Sequence, residues 1–341
     1  MIKSYQGIRV VAMFMIFFYH CVGLMNEGIL RSIYVWLFYD GQFVVTIFFM
    51  LSGIVTFLSM EKKKVEYRIR QSFKFMCTKL TRMYPVYILT LIYLIIFNSE
   101  SIGDVRKLGI SILLLQSYIP DNKIYFSLNG GAWYLSSLAF CFLLSIVFFS
   151  IIKKIDKEKS KIVIVCLYLI QFLLVFICKE YKFSYWLIYI SPIIRSVQFL
   201  MGMLLVNVIK GSKYNINSYI EVITVIALIT AYLLGRYVDI EYRYGVYYMP
   251  FIIAILYVFY FEKGVISKVL SNKIFINLSV ISFEFYIIHH LIILKLQKIM
   301  QGNNLITIIV SFVLSLILSY LLNKYITSKN SITTLNKNYN I

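Results

Sequence analysis

Two ionisable residues inside one apolar run define the chemistry available to this chain. Residues 7–20 read as a membrane-competent stretch, yet Arg9 stands at its start and His20 at its end. Eleven residues turn an α-helix by about 1100°, roughly 20° past three turns, and advance it by about 16 Å. Arg9 and His20 therefore share one helical face at different depths. An ionisable group within a span is costly and marks function by default. An arginine and a histidine in line fit an elongated, partly anionic molecule, with its charged end near Arg9 and its reactive end near His20.

The remaining histidines, His289 and His290, also fall in an apolar run, and no histidine lies in a loop. Histidine is the side chain most readily poised as a base near neutral pH. Ser282, Tyr286 and either His289 or His290 recur at three- and four-residue steps, so they line one face. Glu284 lies among them and needs a partner; a polar network that only holds helices together would give the same pattern. Lys79, Arg82 and Pro85 open a later run. They fit either a basic flank or a phosphate site built on charge-assisted hydrogen bonds. Arg195 and Gln198, followed by Gly202, begin another run and either face a polar cavity or snorkel to the interface. Trp133 and Tyr134 fit interfacial anchors or a platform for a sugar or lipid acceptor.

The elements that must position these residues are helices in a membrane. The 341 residues are 60% hydrophobic and 14% charged, against about a quarter charged in soluble proteins. Mean hydropathy is +0.80. The apolar runs are long and continuous rather than alternating, which excludes a barrel. The net charge of +19 is read as loop lysines and arginines that orient the chain, with no nucleic-acid partner. The five cysteines have neither metal nor redox spacing and read as small apolar residues. No metal is expected. The first run lacks a small-residue cleavage pattern after it and is kept as a span rather than a signal.

Spans are expected near 8–24, 35–59, 83–97, 131–152, 162–178, 193–209, 219–235, 246–261, 276–297 and 304–323. The segment 108–119 is too short to cross and reads as interfacial or re-entrant. If it does not cross, the basic clusters of the 60–82, 153–161, 210–218 and 262–275 loops share one side with both termini. The expectation is thus an all-α polytopic membrane protein of about ten transmembrane helices, with cytoplasmic N and C termini. It forms a single domain over 1–325 with a short polar tail, 326–341, in a multi-pass arrangement in the cytoplasmic membrane.

The same residues resemble the acyltransferase-3 family of bacterial integral membrane acyltransferases over nearly the whole chain. Arg9 and His20, with ten residues between them, look like the family's signature. The segments 47–53 (IFFMLSG), 79–85 (KLTRMYP), 133–135 (WYL), 198–202 (QFLMG) and 281–289 (ISFEFYIIH) are similar to further family segments, in the family's order. Many members carry an acid two residues before the Phe-Phe pair, where this chain has Thr46, and arginine is usual where Lys79 stands. The chain shows no appended hydrolase-like domain, so transfer would finish in the membrane domain or pass to a separate partner.

The resemblance implies an acyl-CoA donor, usually acetyl-CoA, on the cytoplasmic side, with no permanently bound cofactor. The acceptor would be a hydroxyl on an exported glycan or lipid-linked sugar. Arg9, Lys79 and Arg82 would bind the donor phosphates, and His20 would be the catalytic base. Ser282, Glu284, Tyr286 and His289 would support the cavity, with Trp133, Arg195 and Gln198 on the acceptor side. Two other classes compete. A transporter or flippase for a polar lipid or glycan would suit intramembrane Arg, His and Glu, but lacks paired Gly/Pro-broken helices in the sequence. A membrane glycosyltransferase would need clustered outer acids, and Glu27, Glu100, Asp104, Asp121, Glu180, Asp239 and Glu241 are scattered.

Overall fold

Apolar runs dictate the architecture, and the computed structural model describes it for residues 2–25, 27–62, 69–97, 104–212, 216–300 and 304–328. Lys63, Lys64, Arg68 and Glu100, and the tail from residue 329, lie outside the described residues. Among the described residues the regular structure is entirely helical. Helices long and apolar enough to cross a membrane contain α1 (Lys3–His20), α3 (Phe43–Lys62), α4 (Ile69–Phe97), α7 (Trp133–Ile152), α8 (Lys157–Cys178), α9 (Pro192–Lys210), α10 (Ser218–Leu234) and α16 (Asn304–Leu322). A ninth is formed if α14 (Lys273–Val280) and α15 (Ser282–Ile299) act as one span bent by 65°. The chain is an all-α polytopic membrane protein.

The chain partitions into two compact units: residues 1–9, 42–76 and 137–276, and residues 10–41, 77–136 and 277–341. In the first, α3 packs on α9, α9 on α8, and α10 on α12 (Met249–Phe259) and α13 (Val265–Leu270). The α3–α9 crossing is close because both helices place glycine there. A Cβ on Gly53 would overlap the Phe199 carbonyl oxygen, and one on Gly202 that of Met50. Small residues let backbones approach where lipid supplies no hydrophobic drive. Elsewhere in this unit α8 turns Ile162, Leu169, Leu173 and Phe176 outward and buries Ser160 and Gln171, the inversion expected in lipid. Glu221 on α10 accepts the backbone N–H groups of Gly264 (2.9 Å) and Ser267 (3.0 Å) at the start of α13.

In the second unit, α15 packs on α16. The buried serines 311, 315 and 319 recur every fourth residue along α16, while Val313 and Ile317 stay exposed. Short elements join the spans: α2 (Ile29–Phe38), α5 (Val105–Ile112) and α6 (Asn122–Tyr125). In the 108–119 segment, α5 ends at residue 112, Leu114 takes a positive φ of 56°, and a 3-10 turn follows over Gln116–Tyr118. Eight helical residues extend about 12 Å and do not cross.

Three expectations need correction. The basic stretch before the third span is helix, not loop: α4 begins at Ile69, so Lys74, Lys79 and Arg82 ride on it and Pro85 is interior rather than in the first turn. Lysine, arginine, glutamine and methionine are good helix formers, and no glycine interrupts residues 69–84. The eighth run forms only the eleven-residue α12, because residues 244–248 are turn, Pro250 starts the helix and Glu262 ends the run at φ 52°. The ninth run is broken at Ile281. The Ser282 hydroxyl donates to the Ser279 carbonyl (2.8 Å), and Asn323 Nδ2 donates to the Val280 carbonyl (3.2 Å). Side chains thus take carbonyls at the bend, a recognised cause of helix kinks.

Candidate active site

The second unit gathers all three histidines. His20 ends α1 and is exposed, with its ring centroid 4.7 Å from His290 and 5.2 Å from His289 on α15. His289 is buried and lies nearly parallel to Phe285, at 5.7 Å and 10°. Phe17, Phe285 and Phe312 form the aromatic bed beneath it. Gly41 keeps the chain close to the end of α1, where a Cβ would crowd the Tyr19 side chain.

The tautomer of His289 follows from its partners. Nδ1 lies 3.0 Å from the Phe285 carbonyl and 2.7 Å from the Tyr286 carbonyl. Both are acceptors, so Nδ1 carries the proton and the neutral ring presents Nε2 as a bare lone pair. That Nε2 is buried and has no hydrogen-bond partner among the described residues. A buried polar atom left unpaired is rare and needs a reason. Here it is a proton acceptor on a ring whose centroid lies 5.2 Å from that of the exposed His20 imidazole.

The loop before α7 fixes α15 at this level. Buried Asn129 donates to the Ile287 carbonyl (2.9 Å) and to the Thr90 hydroxyl (3.1 Å), and accepts from the Gly131 N–H (3.2 Å). The Tyr286 hydroxyl donates to the Gly131 carbonyl (3.1 Å), and its ring meets Tyr134 edge-on at 5.1 Å. Trp133 is buried in this unit. Asn129 is the residue the sequence did not single out, and His290 was left as an alternative to His289. Asn129-Gly130-Gly131 carries only a turn signal, and neither histidine of the pair is distinguished by spacing.

Glu284 stands apart from the histidines, in the first turn of α15, where a negative charge is favoured. Its Oε1 accepts from Asn323 Nδ2 (3.0 Å) and the buried Thr327 hydroxyl (2.6 Å). The carboxylate therefore ties the bend to the end of α16. Glu284→Gln keeps an acceptor and should melt within a degree or two of wild type in detergent. Glu284→Ala strands two donors at about 1–3 kcal/mol each and should lower the melting temperature by several degrees.

Ser282 caps the bend. Lys79 and Arg82 lie three residues apart on α4, half-buried and exposed respectively, and Arg9 is half-buried on α1. Arg195 and Gln198 belong to the first unit. Arg195 is fully buried there, with Nε donating to the Tyr189 carbonyl (2.6 Å) and Nη1 to Gln198 Oε1 (2.6 Å) and Thr46 Oγ1 (3.3 Å). Its guanidinium stacks on Tyr189 at 4.6 Å and on Phe49 at 5.5 Å. Thr46 is thus a partner of this buried guanidinium.

No curated protein and no solved structure matches the chain. A family model described as an acyltransferase domain, of the acyltransferase-3 type, matches residues 2–324. With helices that suit a membrane and a family match over essentially the whole chain, this protein belongs to the acyltransferase-3 family and is a multi-pass membrane acyltransferase.

Proposed function

We propose that the protein is an O-acyltransferase of the cytoplasmic membrane. It moves an acetyl group from cytoplasmic acetyl-CoA to a hydroxyl of an exported glycan or glycolipid. The observation that carries this reading is the exposed His20 imidazole beside His289 and His290, in a chain of this family. His20 removes the acceptor hydroxyl proton as the oxygen attacks the thioester carbonyl carbon. The C–S bond breaks, the ester forms, and coenzyme A leaves as thiolate to take up a proton. The bare Nε2 of His289 accepts a hydrogen bond from the acceptor or a bound water and orients it. Lys79 and Arg82 take donor phosphates, and Arg9 is the further donor-binding cation.

Acetyl-CoA labelled in its acetyl group and supplied to one face of oriented proteoliposomes tests the reading. Label should appear on a hydroxyl acceptor held at the opposite face. Label transferred only when donor and acceptor share a face, or no transfer with any hydroxyl acceptor, contradicts it. Arg9→Ala should raise the KM for acetyl-CoA about 10-fold or more, the size of one lost charge-assisted hydrogen bond, with a smaller change in kcat. An unchanged KM would make Arg9 structural. The 65° break between α14 and α15 is the one observation that favours a transporter, but such folds place broken helices in paired halves.

A further inference from the structure

Of the three histidines, His290 is the one without a task. His289 is fixed by two carbonyls and by the face of Phe285. His290 is half-buried, and none of the described residues hydrogen-bonds its ring. A histidine that serves packing satisfies its nitrogens, as His289 satisfies Nδ1. The rings that His290 meets among the described residues are His20, at 4.7 Å and 48°, and His289, at 6.5 Å and 58°. It is thus nearer to His20 than His289 is, at 5.2 Å. At 4.7 Å between centroids, a small rotation brings a nitrogen of each ring within hydrogen-bond reach, directly or through one water. Among the described residues no carboxylate pairs with any of the three. Glu284 is engaged elsewhere, by Asn323 and Thr327. A proton taken by His20 can therefore pass only to another imidazole. On His289 it would create a fully buried cation, whereas His290 keeps part of its ring in contact with the surroundings.

We propose that His290 is the general acid of the transfer, the group that gives the leaving sulfur its proton. The inference rests on the acyltransferase reading above and completes its second half. A thiolate set free beside Phe17, Phe285 and Phe312 is an anion against apolar walls, and a proton delivered as the C–S bond breaks removes that cost. The pair starts with His20 neutral and His290 protonated. His20 takes the proton of the attacking hydroxyl as the new C–O bond forms. His290 gives its proton to sulfur as the C–S bond breaks. The products are the ester, the free thiol, protonated His20 and neutral His290. Transfer of the proton from His20 to His290 restores the starting state, with no net proton taken up or released.

The test compares two donors, with the full chain purified into lipid and water as the acceptor. One is acetyl-CoA. The other is its selenoester, acetyl-selenocoenzyme A, which keeps the whole coenzyme A handle and replaces the leaving sulfur with selenium. A selenol is a far stronger acid than a thiol, so the selenolate departs without a proton. His290→Gln should lower kcat about 10²-fold with acetyl-CoA but less than about fivefold with the selenoester, each measured above the uncatalysed rate. His20→Ala should lose turnover of both donors alike, because the base step is common to them. His290→Asn, a smaller amide, should repeat the His290→Gln pattern and carries the comparison if the glutamine variant does not fold. Retained selenoester turnover shows that a variant is folded. An equal fall with both donors in a variant that melts like wild type makes His290 a packing or positioning residue and overturns the inference. So does acetyl-CoA turnover equal to wild type. A wild type active with both donors leaves the acyltransferase reading standing whichever way the variants behave. A wild type that turns over neither donor removes that reading, and this inference with it.

Discussion

His20→Ala should abolish acyl transfer, lowering kcat by about 10²–10⁴-fold, the range for losing a positioned general base. The loss should be chemical rather than structural. The side chain is exposed at the end of α1, so its removal leaves no buried cavity, and yield and melting temperature should stay near wild type. His289→Phe is the informative companion. It keeps a ring against Phe285 and the aromatic bed but deletes the Nε2 lone pair. A fall smaller than that of His20→Ala, with the melting temperature preserved, is expected if His289 orients rather than abstracts. Full activity in His289→Phe would reduce His289 to packing.

The largest effect on stability should come from the α3–α9 crossing. Gly202→Ala places a Cβ against the Met50 carbonyl, which belongs to a helix backbone and cannot rotate away. Overpacking of this kind costs about 1–3 kcal/mol, and Gly202→Leu should prevent recovery of folded protein. Gly53→Ala strikes the same crossing from the other side. The double variant should therefore cost less than the sum of the singles, because one separation of the helices relieves both clashes. Thermal unfolding in detergent measures this directly. A Gly202→Ala protein melting within a degree of wild type would contradict the contact. These glycines end two of the segments that mark the family resemblance, so part of that signature is packing rather than chemistry.

The helices were legible because a membrane span needs about 20 apolar residues, and such runs stand out without any knowledge of partners. The gathering of histidines was half legible. Residue type and placement singled out His20, His289 and His290, but their convergence depends on α1 and α15 meeting across more than 260 residues of sequence. The break at Ile281 was not legible, since Asn323, 43 residues away, takes the Val280 carbonyl. Glu284 read as a cavity residue because its partners, Asn323 and Thr327, also lie far along the chain. The helical nature of residues 69–82 was hidden by their charge, which resembles a loop to any hydropathy argument. Arg195 read as a possible cavity residue, yet its neighbours Tyr189, Thr46 and Gln198 make it a buried hub of the first unit.

Acetyl-CoA binding and turnover by the protein purified into lipid, wild type beside His20→Ala, tests the central claim most directly. Wild type should bind acetyl-CoA and slowly hydrolyse it when no acceptor is present, while His20→Ala should bind it with similar affinity and not turn it over. Failure of the wild type to bind any acyl-CoA would rule out an acyl-CoA donor, and turnover in His20→Ala equal to wild type would rule out His20 as the base.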